Sequence, residues 1–143
     1  MHKVLTLPLT ATCLAFMMPA ALPAAQPASA QDGAFIDRLL PAAKESGFQR
    51  PDMWIWDGSV IQDEDGLWHM FASMWPKAVP FHPNWVTNSR VVRAVAAHPE
   101  GPYTYVEDVL PPRGGDYWDG KMTHNPTIHR VGKTYLLYYT GTT

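Results

Sequence analysis

The sequence predicts an all-β domain that follows an export signal and a short helical segment. Three observations favour this fold class. Short runs of β-forming residues begin at Trp54, turn sequences rich in glycine and proline separate them, and one hairpin pattern occurs twice. Together these observations indicate a sheet protein that is built from hairpins.

Residues 1–30 have the pattern of a cleavable secretory signal. A positive start at Lys3 precedes the mostly apolar stretch 4–22, and small residues at positions 28 and 30 form a cleavage signal before Gln31. A transmembrane anchor is the alternative, but prolines and polar residues interrupt the apolar stretch. We therefore expect a secreted or periplasmic protein with no membrane span after signal cleavage.

Cysteine content and charge exclude several function classes. The only cysteine, Cys13, lies in the signal, so residues 31–143 offer no disulfide, thiol nucleophile or cysteine-ligated zinc site. All 13 acidic residues and all but one of the 11 basic residues lie after residue 30, which leaves a mild acidic balance. That balance gives no reason to expect nucleic acid as a partner.

A short helical segment is expected within residues 31–53. Apolar residues recur at helical spacing between Ala34 and Lys44, and Pro41 prevents a long helix there. No further helix is predicted, because short β runs and turns follow from Trp54 onward.

Three hairpins are predicted from Trp54 onward, and two proline-containing loops, 76–88 and 111–122, separate them. In the first returning strand, alternation places Trp68, Met70 and Ala72 on one face of the sheet. The predicted strand pairs are 59–62 with 67–73, 90–97 with 103–110, and 127–130 with 134–140.

The first and third hairpins resemble each other, with Ile61 and Ile128 at matching positions. Two hairpins joined by a loop, after which the same unit begins again, are typical of four-stranded propeller blades. The alternative is two unrelated hairpins in a β-sandwich. A ring needs about 4–8 blades of about 45 residues each. We therefore expect residues 54–143 to hold the first blade and the start of the second, as the truncated N-terminal piece of a longer protein.

Two carboxylates in aromatic surroundings are the candidate catalytic residues. Asp57 follows Trp56 at the start of a strand, and Asp119 repeats the same Trp-Asp-Gly tripeptide. A carboxylate at the inner end of a blade can act as a general base or a nucleophile. Each residue also has a purely structural alternative. Asp57 could bind backbone amides at the start of a strand, and Asp119 could form a turn before the glycine that follows it.

Substrate-binding candidates surround these carboxylates. His124 and Asn125 lead into a strand as Asp57 does, and their side chains suit sugar hydroxyls. The hairpin alignment places His124 opposite Asp57. Tryptophans at positions 75, 85 and 118 are predicted in loops, where they can stack on sugar rings or pack against the sheets. The substrate-binding set is Trp56, Trp75, Trp118, His124 and Asn125, and no metal site is expected, because no second ligand stands at a recognisable spacing.

Three motifs in this order resemble the five-bladed β-propeller glycoside hydrolases, nearest to family 43 and its relatives. They are the first strand and its return at 57–73, the hairpin at 93–103, and the strand pair at 125–139. The resemblance covers Trp54 to Thr143. It implies a glycosidase that cleaves O-glycosidic bonds of a carbohydrate with paired carboxylates in the propeller cavity, with no cofactor and with a structural calcium ion left open.

The resemblance also implies roles for individual residues. Asp57 matches the first-blade aspartate, which is the general base of inverting members and the nucleophile in related fructosidase families. Thr127 stands where a second-blade aspartate is expected, so either Asp119 substitutes for it or His124 and Asn125 shape a different subsite. The general acid, a glutamate, would lie in a later blade, so this chain alone is expected to be inactive.

Two other function classes stay open. A non-catalytic carbohydrate-binding propeller of the cell envelope would keep the tryptophans and lack the acid. An unrelated β-sandwich interaction module would show no further hairpin repeat.

Overall fold

A computed structural model describes residues 34–143, so the predicted signal, residues 1–30, lies outside the described residues. Antiparallel strands dominate, which confirms the all-β prediction. No helix within residues 34–143 is long and apolar enough to cross a membrane. The strands and the one short α-helix are β1 (Met53–Gln62), β2 (Trp68–Pro76), α1 (Trp85–Asn88), β3 (Arg90–Ala96), β4 (Thr104–Leu110), β5 (Met122–Val131) and β6 (Thr134–Thr142).

A single 3₁₀ turn, Phe35–Arg38, lies where the short helical segment is predicted. The Asp37 carboxylate accepts a hydrogen bond from the Ala34 N–H at 3.1 Å, and the Asp37 N–H donates to the Ala34 carbonyl at 3.0 Å. These reciprocal bonds satisfy two of the backbone groups that a helix start leaves free. The turn ends at Leu39, whose backbone is extended.

Strands β1 to β4 form one antiparallel sheet in sequence order, and β5 and β6 form a separate hairpin. Each of the four strands pairs with the next one along the chain. Four consecutive antiparallel strands followed by a new hairpin match the arrangement of hairpins that the sequence predicts.

Strands β1 and β5 begin earlier than the sequence predicts. Pairing in β1 starts at Met53 instead of Ser59, and pairing in β5 starts at Met122 instead of Thr127. Each strand contains a bulge, which interrupts the alternation of side chains that reveals a strand in a sequence. The pattern therefore indicates only the part of each strand that follows its bulge.

Two tryptophans lie outside the loops where the sequence places them. Trp75 is in strand β2 and is fully buried, and Trp85 begins helix α1. The sequence predicts that this strand ends at Ser73, because the proline at 76 suggests a loop, whereas in the structure the strand continues through Met74 and Trp75 to Pro76. Trp118 does lie in the loop between β4 and β5.

Alanine, methionine, valine and aromatic side chains form the core on one face of the four-stranded sheet. Ala72, Met74 and Ala94 are fully or almost fully buried there. Trp68 and Met70 pack against this cluster, so the face that the alternation predicts for Trp68, Met70 and Ala72 is confirmed.

Hydroxyl groups connect the other face of this sheet to strand β5. The Ser73 hydroxyl oxygen accepts a hydrogen bond from the Asn125 N–H at 2.9 Å, and the Ser59 oxygen accepts one from the Ile128 N–H at 3.1 Å. Hydrogen bonds are directional, so these contacts fix the position of β5 along the first sheet as well as its distance from it.

Replacement of Ser73 by alanine tests this connection. The Asn125 N–H would lose its acceptor in a part-buried position, and an unsatisfied backbone donor costs about 1–3 kcal/mol. We expect the free energy of unfolding, measured by urea denaturation, to fall by that amount. Ser46→Ala is the control, because the Ser46 hydroxyl donates to Ala43 in an exposed turn. Equal effects of the two substitutions would contradict the prediction.

Candidate functional site

Strands β1 and β5 each contain a bulge within the strand. In β1 the register shifts between Trp56 and Ser59, which leaves Asp57 outside the ladder. Asp57 has φ of 53°, the left-handed conformation that aspartate and asparagine tolerate better than other residues with a Cβ atom. The bulge therefore turns the Asp57 side chain out of the regular alternation of β1.

The bulge in β5 matches the bulge in β1. Its register shifts between His124 and Thr127, and Asn125 has φ of 48°. Asp57 is therefore the structural equivalent of Asn125. The hairpin alignment that places His124 opposite Asp57 is wrong by one residue, because it matches Ile61 with Ile128, whereas the two equivalent bulges place Ile61 at the position of His129.

An aromatic cavity of about 210 Å³ lies beside the two bulges. Its lining distinguishes it from the larger hollows of residues 34–143, because four large aromatic rings meet a histidine and an amide here. The residues that line it are Trp56, Trp75, Phe81, Trp85, His124 and Asn125.

Phe81 holds the tryptophans of this cavity together. It enters from the loop after β2, and its ring lies 5.5 Å from Trp54, 5.5 Å from Trp56 and 5.0 Å from Trp75. The first two contacts are edge-to-face, which is a favourable arrangement of aromatic rings. Sequence reasoning missed Phe81, because a single aromatic in a proline-rich loop carries no periodic signal.

His124 is held on several sides within the cavity wall. Its ring stacks on Trp85 at 4.7 Å with an interplanar angle of 24°, and it meets Trp75 edge-on at 5.7 Å. Its Nδ1 atom lies 2.8 Å from the hydroxyl oxygen of Ser89. Burial lowers the pKa of His124 below its ordinary value, and the negative charge of Asp57 opposes part of that shift.

Protonation of His124 should therefore destabilise the fold. The pKa of the folded state is lower than that of the unfolded chain, so the unfolded chain takes up a proton first as the pH falls below about 6.5. We expect the free energy of unfolding to decrease as the pH falls from about 6.5 towards the folded pKa, and to be independent of this group above that range. His124→Gln should flatten this part of the profile, and an unchanged slope in that variant would contradict the prediction.

Asp57 is adjacent to the cavity but is not among the residues that line it. It is exposed, it follows the cavity residue Trp56, and its negative charge acts on the pKa of His124. Of the predicted substrate-binding residues, the structure brings four together at this cavity: Trp56, Trp75, His124 and Asn125.

Asp119 occupies different surroundings. It is buried, its Oδ1 atom lies 2.6 Å from the Arg113 Nε, and its Oδ2 atom accepts a hydrogen bond from the Tyr139 hydroxyl at 2.8 Å. Burial opposes ionisation, but these two hydrogen bonds hold the pKa of Asp119 below its ordinary value. Trp118 stacks on the Tyr139 ring at 5.1 Å. Neither Trp118 nor Asp119 is among the residues that line the aromatic cavity.

One cluster in residues 34–143 has side chains of the type that bind metal ions: Asp63, Asp65 and His69, near the β1–β2 turn. The His69 Nδ1 atom lies 3.0 Å from an Arg93 guanidinium nitrogen, which can only donate. In the neutral ring the hydrogen is therefore on Nε2, and that nitrogen has no lone pair for a metal. The donor set fits a hydrogen-bonded turn better than a metal centre, because the Asp63 and Asp65 carboxylates accept hydrogen bonds from Glu64, Leu67 and Tyr135.

Comparison with known proteins leaves the family unassigned: no family model matches this chain, and no curated protein matches it significantly. The functional argument therefore depends on the geometry of the cavity and on the chemistry of its side chains.

Proposed function

We propose that this chain is the N-terminal part of a secreted or periplasmic β-propeller glycoside hydrolase in which Asp57 is a catalytic carboxylate. The observation that carries the proposal is the position of Asp57: it lies in a bulge with positive φ, directly after the cavity residue Trp56, and its charge acts on the buried cavity residue His124. Backbone conformations of this kind cost free energy and cluster at functional sites.

The composition of the cavity supports a carbohydrate ligand. Aromatic rings offer flat apolar faces to the C–H groups of a sugar, and Trp56 is 51% exposed, so its ring is accessible for such stacking. His124 and Asn125 add a ring nitrogen and an amide, which can hydrogen-bond to hydroxyl groups. No lysine or arginine lines the cavity within the described part of the chain, which favours a ligand that carries no negative charge there.

The repeated hairpin supports a propeller. Strands β1 and β5 carry the same bulge, with a positive-φ aspartate or asparagine at its first position. In propellers, one structural unit recurs around a central channel. A recurring unit also explains why a polar side chain occupies the same position of each bulge, since the side chains of Asp57 and Asn125 would then both face the channel.

The proposed reaction is hydrolysis of a glycosidic bond by two carboxyl groups. In the inverting form, Asp57 accepts a proton from water, the water oxygen bonds to the anomeric carbon, and the bond from that carbon to the leaving oxygen breaks. The leaving oxygen takes a proton from a carboxylic acid on another unit of the propeller. In the retaining form, Asp57 itself bonds to the anomeric carbon, and water later displaces it.

The test is a hydrolysis screen with the exported protein, expressed from its complete coding sequence. Aryl glycosides of neutral pentoses and hexoses, and the corresponding oligosaccharides, are the substrates, and released sugar is measured. We expect release from at least one substrate. Sugar binding without any release would instead support the second candidate.

That second candidate is a non-catalytic carbohydrate-binding propeller of the cell envelope. The observation that favours it is Asn125, which places an uncharged amide where the equivalent bulge of β1 carries a carboxylate. An amide binds hydroxyl groups but cannot act as a general base. This candidate predicts that Asp57→Asn changes affinity for a sugar without abolishing binding.

A further inference from the structure

Ser89 connects the start of strand β3 to the cavity. It follows helix α1 directly, and its N–H donates to the Trp85 carbonyl at 3.2 Å. Its side chain has no exposed surface, and the hydroxyl oxygen lies 2.8 Å from the His124 Nδ1 atom. Among residues 34–143, this nitrogen is the hydroxyl group's only hydrogen-bond partner.

The burial of Ser89 determines which atom carries the hydrogen of this bond. A hydroxyl has a single hydrogen, and a buried hydroxyl that cannot donate it loses about 1–3 kcal/mol. If His124 donated from Nδ1, the Ser89 hydrogen would have no acceptor among the described residues. If Ser89 donates instead, the hydroxyl and Nδ1 are both satisfied, and the hydrogen of the neutral imidazole lies on Nε2, which is left for a ligand.

We propose that Ser89 is a positioning residue that holds His124 as a neutral imidazole with its hydrogen on Nε2, so that His124 donates a hydrogen bond to the ligand in the aromatic cavity. Nδ1 is occupied by Ser89, and His124 lines the cavity, so Nε2 is the polar atom that the ring offers to a ligand. The role towards a sugar rests on the proposed function, whereas the assignment of the hydrogen does not.

The stacked Trp85 ring completes this arrangement. It lies nearly parallel to the His124 ring, and it belongs to the short helix that ends at Ser89. One short segment of chain therefore controls both the plane of the imidazole and the atom that carries its hydrogen.

The arrangement makes a specific demand on the ligand. His124 supplies a donor and the Asp57 carboxylate supplies an acceptor, so the ligand must present an oxygen that accepts at His124 and a group that donates at Asp57. A sugar carries both kinds of group on adjacent carbons. An ammonium group of a ligand at the same position could not hydrogen-bond to His124, because the ammonium group and the His124 Nε2–H are both donors.

The test is long-range ¹H–¹⁵N NMR of the histidine rings in the uniformly labelled exported protein, at a pH where His124 is neutral. We expect the wild-type His124 to carry its hydrogen on Nε2, with Nδ1 as an acceptor. Ser89→Ala should shift both ring nitrogens and admit a fraction of the other tautomer, whereas Ser89→Thr keeps the hydroxyl and should preserve the wild-type state. His124→Gln identifies the signals.

Ser73→Ala is the matched control, because it removes an equally buried hydroxyl that accepts from the Asn125 N–H instead of bonding to His124. It should leave the His124 tautomer unchanged even though it destabilises the fold. A wild-type His124 with its hydrogen on Nδ1 would overturn the proposal, as would a Ser89→Ala spectrum identical to that of the wild type. If Ser89→Ala does not fold, the wild-type and Ser89→Thr spectra decide the question.

A functional measurement completes the experiment. Binding of D-xylose and D-galactose, followed by tryptophan fluorescence, should weaken about 3- to 10-fold in Ser89→Ala for the sugar that the wild type binds, as the loss of one oriented hydrogen bond implies. If the wild type binds neither sugar and hydrolyses no glycoside, the proposed function fails, but the NMR result still decides the role of Ser89.

Discussion

Replacement of Asp57 by asparagine should lower kcat/KM for glycoside hydrolysis about 10²- to 10⁴-fold, which is the contribution of a general acid or base. The amide has nearly the shape of the carboxylate, but it cannot accept the proton of water or bond to the anomeric carbon. Asparagine also tolerates positive φ, so the bulge should keep its conformation. The measurement is steady-state hydrolysis of the best substrate from the screen.

The matched control for this variant is Asp65→Asn. Asp65 is an exposed carboxylate in the β1–β2 turn, and its Oδ1 atom accepts from the Leu67 N–H, a bond that the asparagine oxygen can also make. This substitution removes the same charge and should leave kcat/KM within about 2-fold of the wild type, since surface substitutions of this kind have small effects. Equal losses in both variants, or full activity of Asp57→Asn, would exclude Asp57 as the catalytic carboxylate.

Replacement of Trp75 by alanine should reduce the free energy of unfolding by about 3–5 kcal/mol, the usual cost of removing a fully buried tryptophan from a core. Trp75 has no exposed surface, and its ring supports both Phe81 and His124. Its position in strand β2 makes it part of the wall behind the cavity. Urea denaturation followed by circular dichroism measures the effect without depending on tryptophan emission.

Trp56→Ala is the control for the core substitution. Trp56 lines the same cavity but is 51% exposed, so its loss should cost much less stability and should weaken sugar binding more directly. A small effect of Trp75→Ala, or equal effects of the two substitutions, would show that Trp75 does not support the cavity wall.

The sequence predicts the hairpins of this fold because side-chain alternation and turn residues are local signals. The turn at Asp65-Gly66 shows this: Gly66 has φ of 84°, as a turn glycine requires, and the strands on either side pair as expected. The starts of β1 and β5 could not be predicted, because a bulge removes the alternation that marks a strand.

The candidate site was predictable only in part for a related reason. Trp56, His124 and Asn125 lie just before the strand starts that the sequence predicts, and they could be found from residue type. Ser89 and Phe81 could not, since Ser89 bonds to a histidine 35 residues away and Phe81 lies in an irregular loop, and no periodic pattern records either set of contacts.

The hydroxyl bonds between the sheets have a consequence for how such a site can change during evolution. The Asn125 N–H that Ser73 binds belongs to the bulge beside the cavity, so one bond both attaches β5 to the first sheet and fixes part of the cavity lining. The loops around the cavity could vary without affecting this bond, but a change of the bulge would also alter the attachment of β5. The placement of polar groups at the cavity is therefore inherited together with the packing of β5 against the first sheet.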